Sequence, residues 1–239
     1  MRERFKNDPR LRFFIGDVRD RWRLKRAFDG VDTVVHAAAL KRIEVGAYEP
    51  WEMVQTNTVG AYNVVEAAKD AEVQRVVALS SDKAFQPISP YGQSKALAEF
   101  IFMAANDHYG SSGPRFAITR YGNVWGTTGS IGPVWQQLLE DDGGPVRITN
   151  PECTRFFMRM EQAIALVLDT IRRMPKEPAI PTLPAYRLGD LAEAMGAKTI
   201  TVGLPPWEKL HESMDENNCS ATARRMSIEE LREQIRNET

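Results

Sequence analysis

Five side chains that can give or take protons follow a short apolar run, Val76–Leu79. Such a run predicts a buried strand, and parallel α/β folds bind their ligands at the carboxyl ends of their strands. A hydroxyl, a carboxylate, two amines and a phenol at that position are suited to proton transfer to a bound ligand. The five candidate catalytic residues are Ser81, Asp82, Lys83, Tyr91 and Lys95.

The spacing of Tyr91 and Lys95 places both on one face of a predicted helix, because residues four apart are neighbours there. An ammonium beside a phenol favours the phenolate, so we expect Lys95 to lower the pKa of Tyr91. Y-x-x-x-K is common by chance, and Asp82–Lys83 alone could be a solvated charge pair. The strand before them and the helix after them favour the catalytic interpretation.

Composition excludes several classes of protein. A net charge of −1 over 239 residues argues against a nucleic-acid binder that relies on bulk positive charge. The two cysteines form no disulfide framework, and the three scattered histidines predict no metal site. No signal peptide or membrane span is apparent. We therefore expect a soluble, cytoplasmic protein.

Apolar runs alternate with helical patterns along the first half of the chain, which predicts an α/β fold with a Rossmann-like parallel sheet. The later part is richer in glycine and proline, which predicts a small C-terminal substrate-binding cap. We divide the chain into a partial dinucleotide-binding domain, 1–122, and a mainly substrate-binding region, 123–239, partly interleaved with it. The predicted strands are Arg12–Ile15, Thr33–His36, Val76–Leu79 and Phe116–Arg120. The predicted helices are one capped by Asp20 that ends near Gly30, Trp51–Ala71, Tyr91–Tyr109, Gln162–Met174, Leu188–Met195 and Ile228–Ile235.

Three further features have competing interpretations. The glycines Gly126, Gly129 and Gly132 follow a predicted strand, but they come after the catalytic cluster, which favours a substrate-side loop over a pyrophosphate loop. His36 is expected to be a packed core histidine. Glu212 is expected to stabilise a helix terminus.

Seven motifs in order resemble the extended short-chain dehydrogenase/reductase superfamily. More narrowly, they resemble its inverting UDP-N-acetylglucosamine 4,6-dehydratases, a polysaccharide-biosynthesis group. The resemblance runs from about Arg10 to Glu212. The motifs are F-F-I-G-D-V-R-D, V-V-H-A-A-A-L-K, T-N-T-V-G-A-Y-N-V, L-S-S-D-K-A, Y-G-Q-S-K, R-Y-G-N-V and E-K-L-H-E.

The resemblance implies NADP or NAD as cofactor and UDP-N-acetylglucosamine, or a close relative, as substrate. It also implies a homo-oligomer. Asn57 would either adjoin the cofactor or only satisfy the backbone of a neighbouring loop. The cofactor-binding residues would be Asp17, Val18, Ala37, Ala38, Ala39, Leu40, Asn57, Tyr91 and Lys95. The substrate-binding residues would be Lys41, Asn123, Arg155 and Glu208.

The resemblance also implies a role for each catalytic residue. Tyr91 would take the proton of the sugar 4-hydroxyl while hydride leaves C4, and Lys95 would hold the nicotinamide ribose. Lys83 would then remove the acidified C5 proton, and Asp82 would protonate the departing 6-hydroxyl. Ser81 would hydrogen-bond near the 4-oxygen. Hydride would return to C6 and a proton to the opposite face of C5, which inverts that centre.

The chain also departs from the family pattern. The glycine-rich βαβ unit that opens such a fold is not found before the first motif, and Thr128 and Pro205 stand where the family has arginines. Two alternatives therefore stay open beside the dehydratase. One is a nucleotide-sugar 4-epimerase of the same superfamily, and the other is a non-catalytic truncated relative acting as a binding or assembly module.

Overall fold

A three-stranded parallel sheet is the centre of the fold. A computed structural model describes residues 8–127, 129–141 and 143–236, so Thr128 lies outside the described residues. The sheet order is β1-β2-β3, with His36 opposite Ala78 and Leu79 opposite Thr119. Its strands are β1 (Thr33–His36), β2 (Arg75–Leu79) and β3 (Arg115–Thr119). The parallel α/β prediction is confirmed.

The first half of the chain contains one π-helical segment, Val54–Val59, which connects two α-helices. In the first half the α-helices are α1 (Arg21–Phe28), α2 (Ile43–Tyr48), α3 (Pro50–Met53), α4 (Gly60–Asp70) and α5 (Pro90–Tyr109). In the second half they are α6 (Ile131–Asp141), α7 (Met160–Arg173), α8 (Leu188–Ala194) and α9 (Ile228–Arg236). The predicted long helix Trp51–Ala71 is thus α3, the π-helical segment and α4 in succession. Helices α2 and α6 were not predicted.

Helix α5 is fixed at both ends by its sequence. The Ser89 hydroxyl accepts a hydrogen bond from the Gly92 backbone N–H at 3.1 Å, and Pro90 occupies the first turn, where its missing N–H costs nothing. Gly110 follows the last helical residue with φ +57°, a conformation that glycine adopts without strain. These signals hold Tyr91 and Lys95 at the beginning of the helix, beside the end of β2.

The first core lies between the sheet and helices α4 and α5. Small residues such as Ala61 and Ala98 let the helices approach closely, and Val76 and Phe102 fill the space between them. On the other side of the sheet, α7 packs against β2 and β3. Residue Ala179 then forms a parallel bridge to Thr119. The later part of the chain is therefore interleaved with the sheet.

The predicted strand Arg12–Ile15 is wrong. These residues adopt no regular structure, and Ile15 is 94% exposed. The Ile15 carbonyl accepts a hydrogen bond from Arg23 Nε at 2.6 Å, and the Arg23 guanidinium lies over the Phe14 ring. An apolar run becomes a strand only when another strand pairs with it, and among the described residues none pairs with this one.

The second half adds two small sheets and a separate core. The strands are β4 (Val146–Ile148), β5 (Thr154–Phe156), β6 (Ala185–Arg187) and β7 (Thr199–Thr201). Strand β4 pairs in parallel with β7, and β5 pairs antiparallel with β6. Trp125, Trp135 and Tyr186 lie in the core beside them. None of the helices in the described ranges has the length and apolarity needed to cross a bilayer.

Candidate active site

The turn after β2 carries the first three candidate catalytic residues. Its position is fixed by two backbone hydrogen bonds, from Ser80 N–H to the carbonyl of Thr119 at the end of β3 and from Asp82 N–H to the carbonyl of Tyr121 just after it. The Ser81 hydroxyl accepts a hydrogen bond from the Lys83 N–H at 3.2 Å and begins a 3₁₀ turn. The two strand ends are thus held side by side.

Two glycines allow other segments to approach this turn. A Cβ at Gly92 would lie 2.3 Å from the Lys83 carbonyl oxygen, so only glycine lets the first turn of α5 lie against Lys83. A Cβ at Gly122 would lie 2.6 Å from the Phe156 Cβ and 3.3 Å from Asp82 Oδ2. The motifs Y-G-Q-S-K and R-Y-G-N-V therefore meet L-S-S-D-K-A in space.

The polar groups of the turn form a connected network. The Ser81 hydroxyl donates to Asp82 Oδ1 at 2.8 Å, and Lys83 Nζ donates to the same oxygen at 3.1 Å. Lys83 Nζ also lies 3.5 Å from Asn123 Oδ1 and 3.5 Å from Glu212 Oε1. The side chains of Asp82 and Glu212 are almost fully buried, while that of Lys83 is 19% exposed.

The protonation of Lys83 follows from its neighbours. Burial alone would lower the pKa of Lys83, but the charges of Asp82 and Glu212 outweigh burial and hold this pKa above its ordinary value. Lys83 is therefore an ammonium at neutral pH. Lys83 can act as a base only after its ammonium has passed a proton to a carboxylate.

The expected effect of Lys95 on Tyr91 is wrong. Burial raises the pKa of Tyr91, while the Lys83 charge and a hydrogen bond with Ser81 offset only part of the increase. The Lys95 ammonium instead donates to the Leu79 carbonyl at 2.6 Å. Burial lowers the pKa of Lys95 to about 8, and nearby Glu99 partly opposes that shift. Of the charged groups that act on Tyr91, Lys83 lowers its pKa and Asp82 raises it.

Asn57 organises the turn predicted to meet the cofactor. Its side-chain oxygen accepts from the Leu40 N–H at 2.8 Å, and its amide nitrogen donates to the Leu40 carbonyl at 2.9 Å and to the Ser94 hydroxyl at 2.9 Å. The interpretation that Asn57 satisfies loop backbone is confirmed. A cavity of about 290 Å³ adjoins this turn, lined by Ala39, Leu40, Lys41, Arg42, Val45 and Met53.

The other predicted cofactor residues lie along the same helical segment. The Val18 side chain lies against Gly60, and Asn63 donates to the Val18 carbonyl at 3.1 Å. Asn57 binds the Leu40 backbone, and Gly60, three residues later, contacts Val18. One short helical segment therefore contacts both Leu40 and Val18. Asp17 is exposed, and its carboxylate pairs with Arg19.

The predicted core role of His36 is confirmed. The ring is 5% exposed and packs 5.7 Å from Phe102, centroid to centroid. Burial, with a smaller effect of the Lys95 charge, lowers the pKa of His36 to about 4. His36 is therefore neutral at physiological pH.

Two of the predicted substrate-binding residues bind each other. Arg155 is 6% exposed, and its guanidinium pairs with Glu208 at 2.5 Å and donates to the Leu210 carbonyl. Asn123 lies beside Lys83, and Lys41 lines the cavity next to Leu40. The four residues therefore lie in three different places around the site.

The interpretation of Glu212 as a helix-terminus residue is wrong. Glu212 lies outside the helices, its side chain is buried, and it contacts both Lys83 and Lys209. Sequence reasoning missed this functional candidate because about 130 residues separate Glu212 from Lys83. Its place at the end of the E-K-L-H-E motif was the available signal.

Gly126 and Gly129 lie before α6, and Gly132 is the second residue of that helix. Gly126 and Gly129 have φ near +73°, and a Cβ at Gly132 would lie 2.6 Å from the Trp125 ring. The third glycine therefore serves close packing against a buried tryptophan.

Comparison with known proteins identifies the family. The model of the polysaccharide biosynthesis protein family matches residues 1–230, and the chain belongs to that family. A curated relative, the inverting UDP-N-acetylglucosamine 4,6-dehydratase of Campylobacter jejuni, is 40% identical over 211 residues. That match covers 87% of this chain and 63% of the relative, so the chain spans less than two thirds of that relative's length.

Two further similarities bear on the alternatives. A UDP-glucose 4-epimerase of Rickettsia felis is 41% identical over 162 residues, which cover 68% of this chain and 47% of the epimerase. The crystal structure of DesIV from Streptomyces venezuelae, a dTDP-glucose 4,6-dehydratase with NAD bound, is 25% identical with a TM-score of 0.79. It covers 98% of this chain and 81% of DesIV. The Rossmann-like fold and the resemblance to nucleotide-sugar dehydratases are confirmed.

Proposed function

We propose that this chain carries the catalytic part of an NAD(P)-dependent nucleotide-sugar 4,6-dehydratase that inverts C5. The observation that carries the proposal is the Asp82–Lys83 pair, buried at the end of β2 beside Tyr91. A dehydratase needs a base for C5 and an acid for the 6-hydroxyl, and this pair provides both. An epimerase needs neither group.

One proton shift prepares the pair for dehydration. Lys83 Nζ and Asp82 Oδ1 are 3.1 Å apart, so a proton can pass directly from the ammonium to the carboxylate. The products are a neutral amine, which takes the C5 proton, and a carboxylic acid, which gives its proton to the departing 6-hydroxyl. Water leaves, and the original ammonium and carboxylate are restored. Displacement of water from the partly exposed Lys83 by a substrate favours this shift, because the ammonium loses solvation.

Tyr91 and Ser81 act at the 4-oxygen. Tyr91 accepts the proton of the 4-hydroxyl in its phenolate form. Because burial raises the pKa of Tyr91, the phenol first has to release its own proton to solvent, and the phenolate is then a strong base. Ser81 hydrogen-bonds to Tyr91 and to Asp82, so it connects the two proton-transfer groups.

The residues around the Ala37–Leu40 turn fit a dinucleotide. The turn exposes small side chains at a parallel strand end, and both backbone groups of Leu40 are fixed by Asn57. We assign Asp17, Val18 and the turn to the cofactor, together with Asn57, Tyr91 and Lys95. A nicotinamide held there would supply hydride acceptance at sugar C4 and hydride return at C6. The choice between NAD and NADP stays open.

The substrate proposed is UDP-N-acetylglucosamine or a close relative. Asn123 beside Lys83 and Lys41 at the cavity are placed for polar contacts with it. Arg155 is held by Glu208, so a substrate diphosphate would have to compete for this guanidinium. We retain the division at residues 122 and 123, with α7 as the part of the second region that supports the sheet. A cytoplasmic location stays a prediction.

An oligomer interface is proposed on helices α4 and α5. These helices pack against each other, and each carries large apolar side chains that are at least half exposed. Tyr62 is 50% exposed, Leu97 52% and Phe100 68%. A second copy of the chain would cover this face. Phe100→Glu should then convert a dimer into a monomer, as measured by light scattering after size-exclusion chromatography.

The test of function starts with calorimetric binding of NAD and NADP, with and without UDP-N-acetylglucosamine. Turnover is then followed by mass spectrometry, where dehydration removes one water and epimerisation leaves the mass unchanged. Lys83→Ala should lower dehydration about 100- to 10,000-fold, because general acid–base groups contribute that much. Retained product formation in this variant refutes the base assignment. Unchanged mass with epimerised product favours the epimerase, and no cofactor binding favours the binding module.

A further inference from the structure

A second carboxylate, Glu212, reaches Lys83 from the far end of the chain. Its side chain is 3% exposed, Oε1 lies 3.5 Å from Lys83 Nζ, and Oε2 lies 3.7 Å from Lys209 Nζ. The position of Glu212 is itself fixed, because its backbone N–H donates to the buried Ser220 hydroxyl at 2.9 Å. The burial of the Glu212 carboxylate and the fixed position of its backbone indicate that this residue has a function.

The Lys83 ammonium has three oxygen neighbours within 3.5 Å, two that accept hydrogen bonds from it and one, from Glu212, that forms an ion pair with it. They are Asp82 Oδ1, Asn123 Oδ1 and Glu212 Oε1. An ammonium has three N–H groups, so these neighbours match its donors in number. The amine is therefore held from three sides, by the turn after β2, the loop after β3 and the segment that contains Glu212.

We propose that Glu212 is a positioning residue that holds the Lys83 amine in the site and keeps it protonated until a substrate arrives. The inference rests on the proposed function, in which Lys83 is the C5 base. Glu212 opposes the loss of the ammonium charge, whereas Asp82 can receive its proton and become the acid. The two carboxylates thus have different roles around one amine.

The other charged and titratable groups near Lys83 do not replace Glu212. Arg155 faces it with a positive charge, which favours the neutral amine. Tyr91 and Tyr186 also interact with it, and both are uncharged at neutral pH because burial raises the pKa of each. Asp82 is therefore the other negative neighbour of Lys83 among the described residues.

The experiment measures the reactivity of the Lys83 amine at different pH values. Pulses of acetic anhydride acetylate only neutral amines, and peptide mass spectrometry reports the labelling of Lys83 against exposed Lys25. Wild type is compared with Glu212→Gln, which keeps the shape and removes the charge, and with Glu212→Asp, which keeps the charge. Asp215→Asn is the matched control, because Asp215 lies in the same segment and its carboxylate bonds to Asn217 and Asn218.

We expect Glu212→Gln to lower the pH midpoint of Lys83 labelling by about one unit, equal to a tenfold gain at a fixed pH below the midpoint. Glu212→Asp keeps the charge but moves it away from Lys83, so it should lower the midpoint by a smaller amount, and Asp215→Asn should leave it unchanged. Simple loosening of the site would raise labelling at every pH without moving the midpoint. An unmoved midpoint in Glu212→Gln therefore overturns the proposal.

Two features keep the result interpretable. If Glu212→Gln does not fold, Glu212→Asp carries the test, because its shorter side chain moves the carboxylate away from Lys83. A midpoint that is identical in Glu212→Asp and wild type would then overturn the proposal. Labelling needs no turnover, so a shifted midpoint in a protein without dehydratase activity refutes the proposed function and leaves the role of Glu212 intact.

Discussion

Removal of one partner from the buried ion pair between Glu99 and Arg120 should cost far more stability than removal of one partner from a surface pair. The Glu99 carboxylate binds Nε and Nη2 of Arg120, and Arg120 Nη1 donates to the Met214 carbonyl at 2.6 Å. The two side chains are 7% and 13% exposed. The pair therefore joins α5, the end of β3 and the segment that carries Glu212.

Glu99→Gln leaves the Arg120 guanidinium buried without its countercharge. Loss of one partner from a buried pair costs about 3–5 kcal/mol in free energy of unfolding. The pair is nearly dry and doubly hydrogen-bonded, so we expect a loss in that range. For a domain of this size it corresponds to a fall in Tm of about 6–20 °C.

The matched control is the exposed pair Arg173–Asp169 on α7, where the side chains are 60% and 46% exposed. Asp169→Asn should cost only about 0.3–0.5 kcal/mol, because solvent screens an i,i+4 surface pair. Both variants are compared by urea unfolding monitored by circular dichroism. A Glu99→Gln loss no larger than that of Asp169→Asn would refute the claim that burial sets the strength of this pair.

Three further predictions follow from individual contacts. Burial lowers the pKa of His36 to about 4 from its unfolded value of 6.5, so the stability that neutral His36 contributes is fully present above pH 6.5 and falls as the pH drops towards 4. Thermal melts should show that the free energy of unfolding falls by about 2 kcal/mol from pH 7 to pH 5, and His36→Phe should remove this loss. Asn57→Ala should cost about 1–3 kcal/mol in chemical unfolding, because the Leu40 backbone loses both partners; an unchanged free energy of unfolding would contradict that reading. Gly92→Ala should lower Tm and disturb the turn at Lys83, since the alanine Cβ would lie 2.3 Å from the Lys83 carbonyl oxygen. The control Gly144→Ala should leave Tm unchanged, because its Cβ would meet nothing within 4 Å.

The first half of the fold was predictable because its signals are local. The strand Thr33–His36 has the bounds predicted from its apolar run, and helix Pro90–Tyr109 begins and ends at a serine cap and a glycine. The strand Arg12–Ile15 failed because strand formation depends on a pairing partner, which no local pattern reveals. The strands Val146–Ile148 and Thr199–Thr201 were missed for the same reason, since each has three residues and is defined by pairing with the other.

The sequence by itself determined the parallel α/β class, the candidate catalytic turn and the family motifs, because these depend on residue types at short, fixed spacings. Tertiary structure decided the electrostatics of the site. It placed Glu212 beside Lys83, moved the cationic neighbour of Tyr91 from Lys95 to Lys83, and paired Arg155 with Glu208. Protonation depends on burial and on charges a few ångströms away, and residues far apart in the chain supply those charges.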